Sequence, residues 1–374
     1  MKEIEQEFLD SGGVWEEIVV GKHFDISRGD IQNQGELVPY EKGISFIAQN
    51  DANNGFVGKF EKSEYRRFNG KSIIIGRQTG IVYYQPNEFI TTDGVLVLTL
   101  KNKSFIEKSF GFFIVSSLRK ALQLFGYSNT VSAKKLDTLK INLPYLNNNF
   151  AYKFMENFIA ELKALRVAEL HAYLQATGLS NYTLSDDEQA ALNAIENSKW
   201  QIFNVEELFG KATRGKRLKS ADRTAGNLPF VTAGEADTGI SAFIGNNVER
   251  FKPNTITIDM FGSAKYRNYE YGADDHIAVV HTDKLPKHAV LFLTSAMHKV
   301  ANAGQFSYAR NFYAKDADSL NIELPVKNGE PDFELMANYL QAIEKLVIKD
   351  VVDWADREIA VTEQAITDND NLLV

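Results

Sequence analysis

The chain repeats itself. Residues 141–165 laid over 322–346 bring Leu143 and Pro144 onto Leu324 and Pro325, Met155 onto Met336, Phe158 onto Tyr339, Leu162 onto Ile343 and Leu165 onto Leu346. A repeat at that separation makes the protein two copies of one unit, each a mixed globular part closed by a helix, so every element has to be read twice. At 374 residues the chain has room for two cores of ordinary size.

The copies agree from their first residues. Trp15 opens one and Trp200 the other, and each is followed by a short extended segment, one helical turn and a glycine turn at Gly29 or Gly215. Phe46–Gln49 runs into a polar loop reaching Gly58, and Phe230–Ala233 into one that ends at Gly245. β-Branched and aromatic runs then predict hairpins: Ile73–Gly76 with Ile81–Tyr84 about Arg77–Gly80, and Thr255–Asp259 with Ala264–Tyr266 about Gly262 and Ser263. A turn acid, Asp93 or Asp275, precedes a buried strand in both. Helices over about 104–122 and 286–301 lead to polar aromatic loops at 125–129 and 304–310, then to Ala-Lys and Leu-Pro. Strands outnumber helices without a regular βαβ alternation, which is the pattern of an α+β fold.

The closing helices carry apolar residues at intervals of three and four, through Phe154, Met155, Phe158, Leu162 and Leu165 and through Leu335, Met336, Tyr339, Ile343 and Leu346. The stripes extend to about Leu174 and Trp354, long enough to reach beyond their own domains. The expectation is an antiparallel coiled-coil pair, with Met155, Phe158, Leu162 and Leu165 facing Met336, Tyr339, Ile343 and Leu346. The plainer alternative packs each helix on its own domain. Ser185 and Glu188 form a capping-box pattern, which predicts a short, acidic, solvated helix in the linker 176–199. Residues 1–14 read as a lead-in, and the tail after Ile359 as frayed. The resulting boundaries are 1–149 for the first domain, 150–178 for the central helix, 179–331 for the linker helix and second domain, and 332–374 for the last helix and tail.

Composition removes most chemistry. The chain has no cysteine, so disulfides, thiolate catalysis and cysteine zinc sites are excluded. Its six histidines make no HExxH, and there is no GxSxG elbow, Walker loop or GxGxxG. Asp259, Asp274 and Asp275 have only Asp93 as a counterpart, which does not support paired-acid catalysis. No catalytic residue, metal or cofactor is expected. The amino terminus lacks a signal-peptide core, and no run approaches a membrane span, so a soluble cytoplasmic protein is expected.

What remains is basic and polar loop material, despite a net charge of −8. Phosphate-contact candidates are Arg28, Lys59, Lys62, Arg66, Arg67, Lys71 and Arg77 in the first copy. In the second they are Lys211, Arg214, Lys216, Arg217, Lys219, Arg223, Lys265 and Arg267. Gln49, Asn53, Asn54 and Gln78, with Asp237, Thr238 and Asn246, carry the donor and acceptor pairs that read base edges. The framework agrees between copies while the loops do not, which suits reading two different things at a fixed separation.

Several patterns now stand in order, twice: the Trp start, the Gly-Lys or Arg-Gly element after it, the strand and loop from Phe46 to Gly58, the Gly76–Gly80 hairpin before Tyr84-Gln85-Pro86-Asn87, and the Leu-Pro junction into a long helix. In this order the chain resembles, over nearly its whole length, the specificity subunit of type I restriction-modification systems. The resemblance implies two pseudo-symmetric target-recognition domains, each reading half of a bipartite site in double-stranded DNA, joined by spacer helices. It implies a non-catalytic subunit with adenine-specific DNA methyltransferase subunits, in two copies, as partners, and restriction or translocase subunits besides. Similar subunits also serve systems whose partner fuses methylation and cleavage. A protein-interaction scaffold that never touches DNA is the competing class.

Overall fold

The computed structural model describes residues 2–31, 37–61, 65–101 and 105–372, with side chains described to residue 361. It divides into two compact units, one taking in the chain to Glu169 and the other Leu170–Val361.

The first unit starts with a helix, α1 (Lys2–Asp10), where the sequence suggested only a lead-in. The correction comes from Phe8, which is buried and stacks on Phe154 with centroids 4.0 Å apart. The chain continues through β1 (Val14–Val19), α2 (Val20–His23), β2 (Phe24–Arg28), β3 (Pro39–Ile47), β4 (Phe56–Phe60) and β5 (Arg67–Phe68). It then forms the hairpin β6 (Ser72–Gly76) and β7 (Val82–Gln85), followed by β8 (Phe89–Thr91) and β9 (Val95–Leu100). Helices α3 (Lys108–Ala121) and α4 (Ala133–Asp137), strands β10 (Lys140–Leu146) and β11 (Asn149–Phe150), and the long α5 (Tyr152–Ala176) complete the run.

The second unit repeats this order. After α6 (Asp186–Ala194) come β12 (Trp200–Asn204), α7 (Val205–Phe209), β13 (Thr213–Arg214), β14 (Ala225–Val231) and β15 (Ile240–Ile244). The hairpin β16 (Thr255–Asp259) and β17 (Ala264–Arg267) is followed by β18 (Gly272–Ala273) and β19 (Ile277–Val280). The unit closes with α8 (Lys287–Ala301), α9 (Ala314–Asp318), β20 (Asn321–Lys327), β21 (Glu330–Pro331) and α10 (Phe333–Leu372), a helix that runs on past Ile359.

Sheet order matches except for β5, an extra edge strand on the first unit's third sheet. The central sheets run β2-β9-β6-β7 and β13-β19-β16-β17, and the small end sheets β1-β10-β11 and β12-β20-β21. A third sheet pairs β3 with β8, and β14 with β18, in parallel. In both end sheets the opening tryptophan lies opposite the proline of Leu-Pro: Trp15 opposite Pro144, Trp200 opposite Pro325. The unbroken apolar run of β6 follows from burial on both faces. Ile73 and Ile75 enter the core beneath α3, while Ile74 joins Ile47, Phe89, Val95 and Val97 on the other side. The α+β fold of two similarly built domains with long helices is thus present.

The closing helices are first of all lids on their own domains. Met155 and Met336 are fully buried, each in the core of its own unit. Trp15, Phe113 and Phe158 form one ring series, at 6.2 and 5.5 Å, and Trp200, Phe292 and Tyr339 its counterpart, at 6.2 and 6.4 Å. Contrary to a pure helix-to-helix seam, Met155 and Phe158, like Met336 and Tyr339, pack on the body of their own domain. Leu162 and Ile343 are half-buried; Leu165 and Leu346 are exposed. Further along, Leu174 is buried with Val352 and Ala355, flanked by Leu170, Tyr182 and Ile348. The capping box forms as expected, with Ser185 and Glu188 bonding each other's main-chain N–H. Yet α6 is not a solvated linker: Glu188 is buried and meets the Lys345 ammonium of α10 at 2.8 Å.

Candidate nucleic-acid interface

The polar loops after β3 and β14 have one geometry. Each is closed by a main-chain bond, Ala48 N–H to Gly55 O at 2.9 Å and Thr232 N–H to Gly239 O at 2.8 Å. Each contains two successive left-handed residues, Asn53 and Asn54 at φ 49° and 56°, and Asp237 and Thr238 at 46° and 54°. Asn and Asp accept that conformation; β-branched Thr does not do so easily. Glycine is required next, because a Cβ would come within 2.8 Å of Ala48 O at Gly55 and 2.7 Å of Thr232 O at Gly239.

The second hairpin strand supports each loop. From β7, Tyr83 OH donates to Asp51 O at 2.6 Å and Gln85 Nε2 to Asn54 O at 2.8 Å, while Asn54 Nδ2 donates to Tyr84 O at 3.0 Å. From β17, Lys265 Nζ reaches Glu235 at 3.2 Å and Arg267 donates to Thr238 O at 2.9 Å. The Ser263 hydroxyl, with Lys265, holds the Glu235 carboxyl below the usual carboxylate range. Lys265 lies between Glu235 and Asp259, and Arg267, 1% exposed, also bonds Thr257 Oγ1 and Tyr269 OH, so neither presents its charge to a phosphate. Asn54 likewise spends its amide N–H inside the unit.

Beside the loop, each unit pairs an arginine with its turn acid. Arg28 meets Asp93, and Arg214 meets Asp275 at 3.6 Å; Arg214 also lies over the Tyr313 ring at 5.8 Å. Arg28 and Arg214 are about half exposed, and exposed ion pairs are worth only about 0–1 kcal/mol, so either pair opens at little cost. In the first unit, Arg77 donates to Asp93 O, and the Gln49 and Gln78 amides bond each other at 2.7 Å. With Thr92, Gly94 and Thr130 these residues line a cavity of about 270 Å³. Gln49 Oε1 also accepts from the Gln78 main-chain N–H at 3.0 Å, so a base edge would have to exchange for these bonds to meet the carboxamide donor and acceptor. The corresponding turn of the second unit carries Asp274, Asp275 and His276, whose ligand atoms lie within 4.8 Å of one another. Arg214 already supplies positive charge there, so the group is not assigned a metal.

Other candidates divide by exposure. Lys59, Lys211, Lys216, Arg217 and Lys219 are exposed, as are Asn53 and Asp237. Arg66 lies over Phe68 at 4.8 Å, Arg67 pairs with Glu88 at 3.3 Å and Lys71 with Glu107 at 3.1 Å. Arg223 turns inward over Phe230 and donates to Leu218 O, and Asn246 ties Thr224 N–H to Asp222 O with its amide; both hold loops. Lys62 lies outside the described residues.

The sequence reading missed Tyr127 and Tyr308. They are 78% and 85% exposed, at the tips of turns bridged by Gly126 with Asn129 and by Ser307 with Arg310. The sequence carried a signal, a Tyr four residues before Val131 and before Phe312 in the two polar aromatic loops, but the match is fixed only by the bonds of Val131 N–H to Arg77 O and of Phe312 N–H to Met260 O.

A family model for the type I restriction modification DNA specificity domain matches residues 14–172 and, again, 197–352. The chain belongs to this family. It is a specificity subunit, the non-catalytic, sequence-specific DNA-binding component of a type I restriction-modification system. Among characterised proteins it is similar to the type II restriction enzyme specificity subunit S.BcgI of Heyndrickxia coagulans, 26% identical over 333 residues, covering 87% of this chain and 93% of that one. The crystal structure of the type I restriction-modification system S subunit from M. genitalium shares its fold, with a TM-score of 0.58 and 15% identity over 95% of this chain and 94% of the other. No described helix of the specificity subunit is long and apolar enough to cross a membrane.

Proposed function

We propose that each domain reads one half of a bipartite site in double-stranded DNA, with bodies bounded at 1–149 and 179–331 and spacer helices from 150 and 332. The observation that carries this is a matched frame with unmatched contents: Arg28–Asp93 and Arg214–Asp275 coincide, while Gln49 and Gln78 fall on Ala233 and Phe261, and Thr92 and Gly94 on Asp274 and His276. The base readers are Gln49, Asn53 and Gln78 in one domain and Asp237 with the 274–276 turn in the other. Arg28, Lys59, Arg66, Arg67 and Arg77, with Lys211, Arg214, Lys216, Arg217 and Lys219, hold phosphates. Tyr127 and Tyr308, being alike, make the same sequence-independent contact in both halves.

The spacer in this reading is α5 against α10 as an antiparallel pair. Supporting it, His171 meets Asp356 at 3.5 Å while Leu174 packs on Val352 and Ala355, so the order along one helix runs backward along the other. At 25 residues, α5 spans roughly 37 Å by helical rise, close to the ~34 Å of one DNA turn. Exposed Val347, Val351 and Trp354 recur on one face of α10 and suit an adenine-methyltransferase partner, present in two copies, with restriction subunits in addition.

The kinship with a type II specificity subunit favours a second assembly, in which one partner chain both methylates and cleaves. Mapping adenine methylation in cells with and without this gene tests the main reading. A split motif lost on deletion is expected, and unchanged methylation with an active partner would bring the scaffold alternative forward. Assaying cleavage by the purified partner separates the two assemblies.

A further inference from the structure

We propose that Gln85 and Arg267 are positioning residues for sequence discrimination, each setting the recognition loop of its own domain and hence the bases of one half-site. The proposal rests on the DNA-reading function above.

The two residues are at one position in the repeat. Gln85 lies opposite Ser72, and Arg267 opposite Thr255, in the β6–β7 and β16–β17 registers. The residue two before each, Tyr83 or Lys265, faces the same loop, as the period of two along a strand requires. Both Gln85 and Arg267 are buried, at 5% and 1% exposure. Both donate to the same atom, the carbonyl of the second left-handed residue, Asn54 or Thr238.

Stability alone accounts poorly for Arg267. Its described partners are neutral: Thr257 Oγ1, Thr238 O and Tyr269 OH. A buried guanidinium without a carboxylate carries an uncompensated desolvation cost, which an apolar residue would avoid. What the guanidinium provides is three donors in a fixed plane, bracing one loop carbonyl against the sheet. Gln85 does the same with a single amide, and Asn54 returns a bond to Tyr84 O. The loop's φ values above +40° persist only where the surroundings impose them. A contact to a base edge loses its bidentate geometry after a shift of about 1 Å, so loosening the brace blurs reading without removing a contact.

The test uses the full chain with its methyltransferase partner in cells carrying a plasmid library varied at every base of both half-sites. Gln85→Glu keeps size and removes the donor; Arg267→Lys keeps charge and removes the planar fork. Methylation at sites altered in one half is expected to rise about tenfold relative to the cognate site, in the first half for Gln85→Glu and in the second for Arg267→Lys. Discrimination unchanged in both variants, or loosened in both halves by either one, overturns the proposal. If Arg267→Lys melts too early to support methylation, the Gln85→Glu profile decides, with the unaltered half-site as its internal folding control. A wild-type chain that directs no split motif defeats the underlying DNA-reading function instead.

Discussion

Thr238 shows how far the second loop departs from what its sequence prefers. A β-branched residue at φ 54° carries a cost of about 1–2 kcal/mol that Asn54, at 56°, largely escapes. Thr238→Gly is therefore expected to stabilise the chain by roughly 1 kcal/mol in urea unfolding, whereas Gly239→Ala, with its Cβ driven against Thr232 O, should destabilise it by about 1–3 kcal/mol. Among the surface cations, replacing Arg214, Arg217 and Lys219 together by Ala should make the salt slope of DNA binding shallower by about 2–3 units. An unaltered slope would remove them from the phosphate-binding set. Lys265 and Arg267 show why charge misled the sequence reading. Their spacing put them on one face of a strand, but whether that face met water or a returning loop depended on a chain segment some thirty residues away. Asn246 was misread for the same reason, since a side chain that reads bases and one that ties Thr224 to Asp222 look alike in sequence.

At the scale of elements, hydrophobic period and glycine turns were good guides. The β6–β7 and β16–β17 hairpins, α3 and α8 and the Ser185 capping box all lie where the sequence put them. In the closing helices one apolar stripe serves two purposes in succession: Met155 and Met336 seal their domains, and further along Leu174 packs with Val352 and Ala355. On α10, Lys345 and Glu344 bind α6 and α8. Removing Lys345 strands the buried Glu188, so Lys345→Ala should cost about 3 kcal/mol. Burial pushes the Glu188 carboxyl up, but Lys345 and the Ser185 N–H outweigh it and leave it below its ordinary 4.5; Glu344, beside His288 and Lys287, behaves the same way. A carboxyl depressed by folding contributes stability that is present above its unfolded pKa and lost as pH falls through the folded value. Melting temperature should therefore drop on acidifying below about pH 4.5, and the drop should be smaller in Lys345→Ala.

For the whole molecule, the repeat was the most legible feature, and it exposed the division between what both domains share and what each holds alone. In the proposed arrangement the gap between half-sites belongs to the helices. Inserting four residues after Ala168, about 6 Å of helix, should change the gap in the methylated motif while both half-sites keep their bases. A gap that stays the same would refute the ruler. Exchanging residues 200–325 for the matching domain of another specificity subunit should alter one half-site and leave the other.

The braces beneath the two loops end on Asp51, Asn54 and Thr238 through carbonyl oxygens, an atom that every amino acid supplies. These braces take no account of the loop's side chains, although Asn54, bonded to Tyr84 O, and Glu235, bonded to Lys265, add ties of their own. Successive generations can exchange those side chains one at a time while the anchorage stays in place, and a lineage carrying this scaffold can drift to a new target without first passing through an unfolded ancestor.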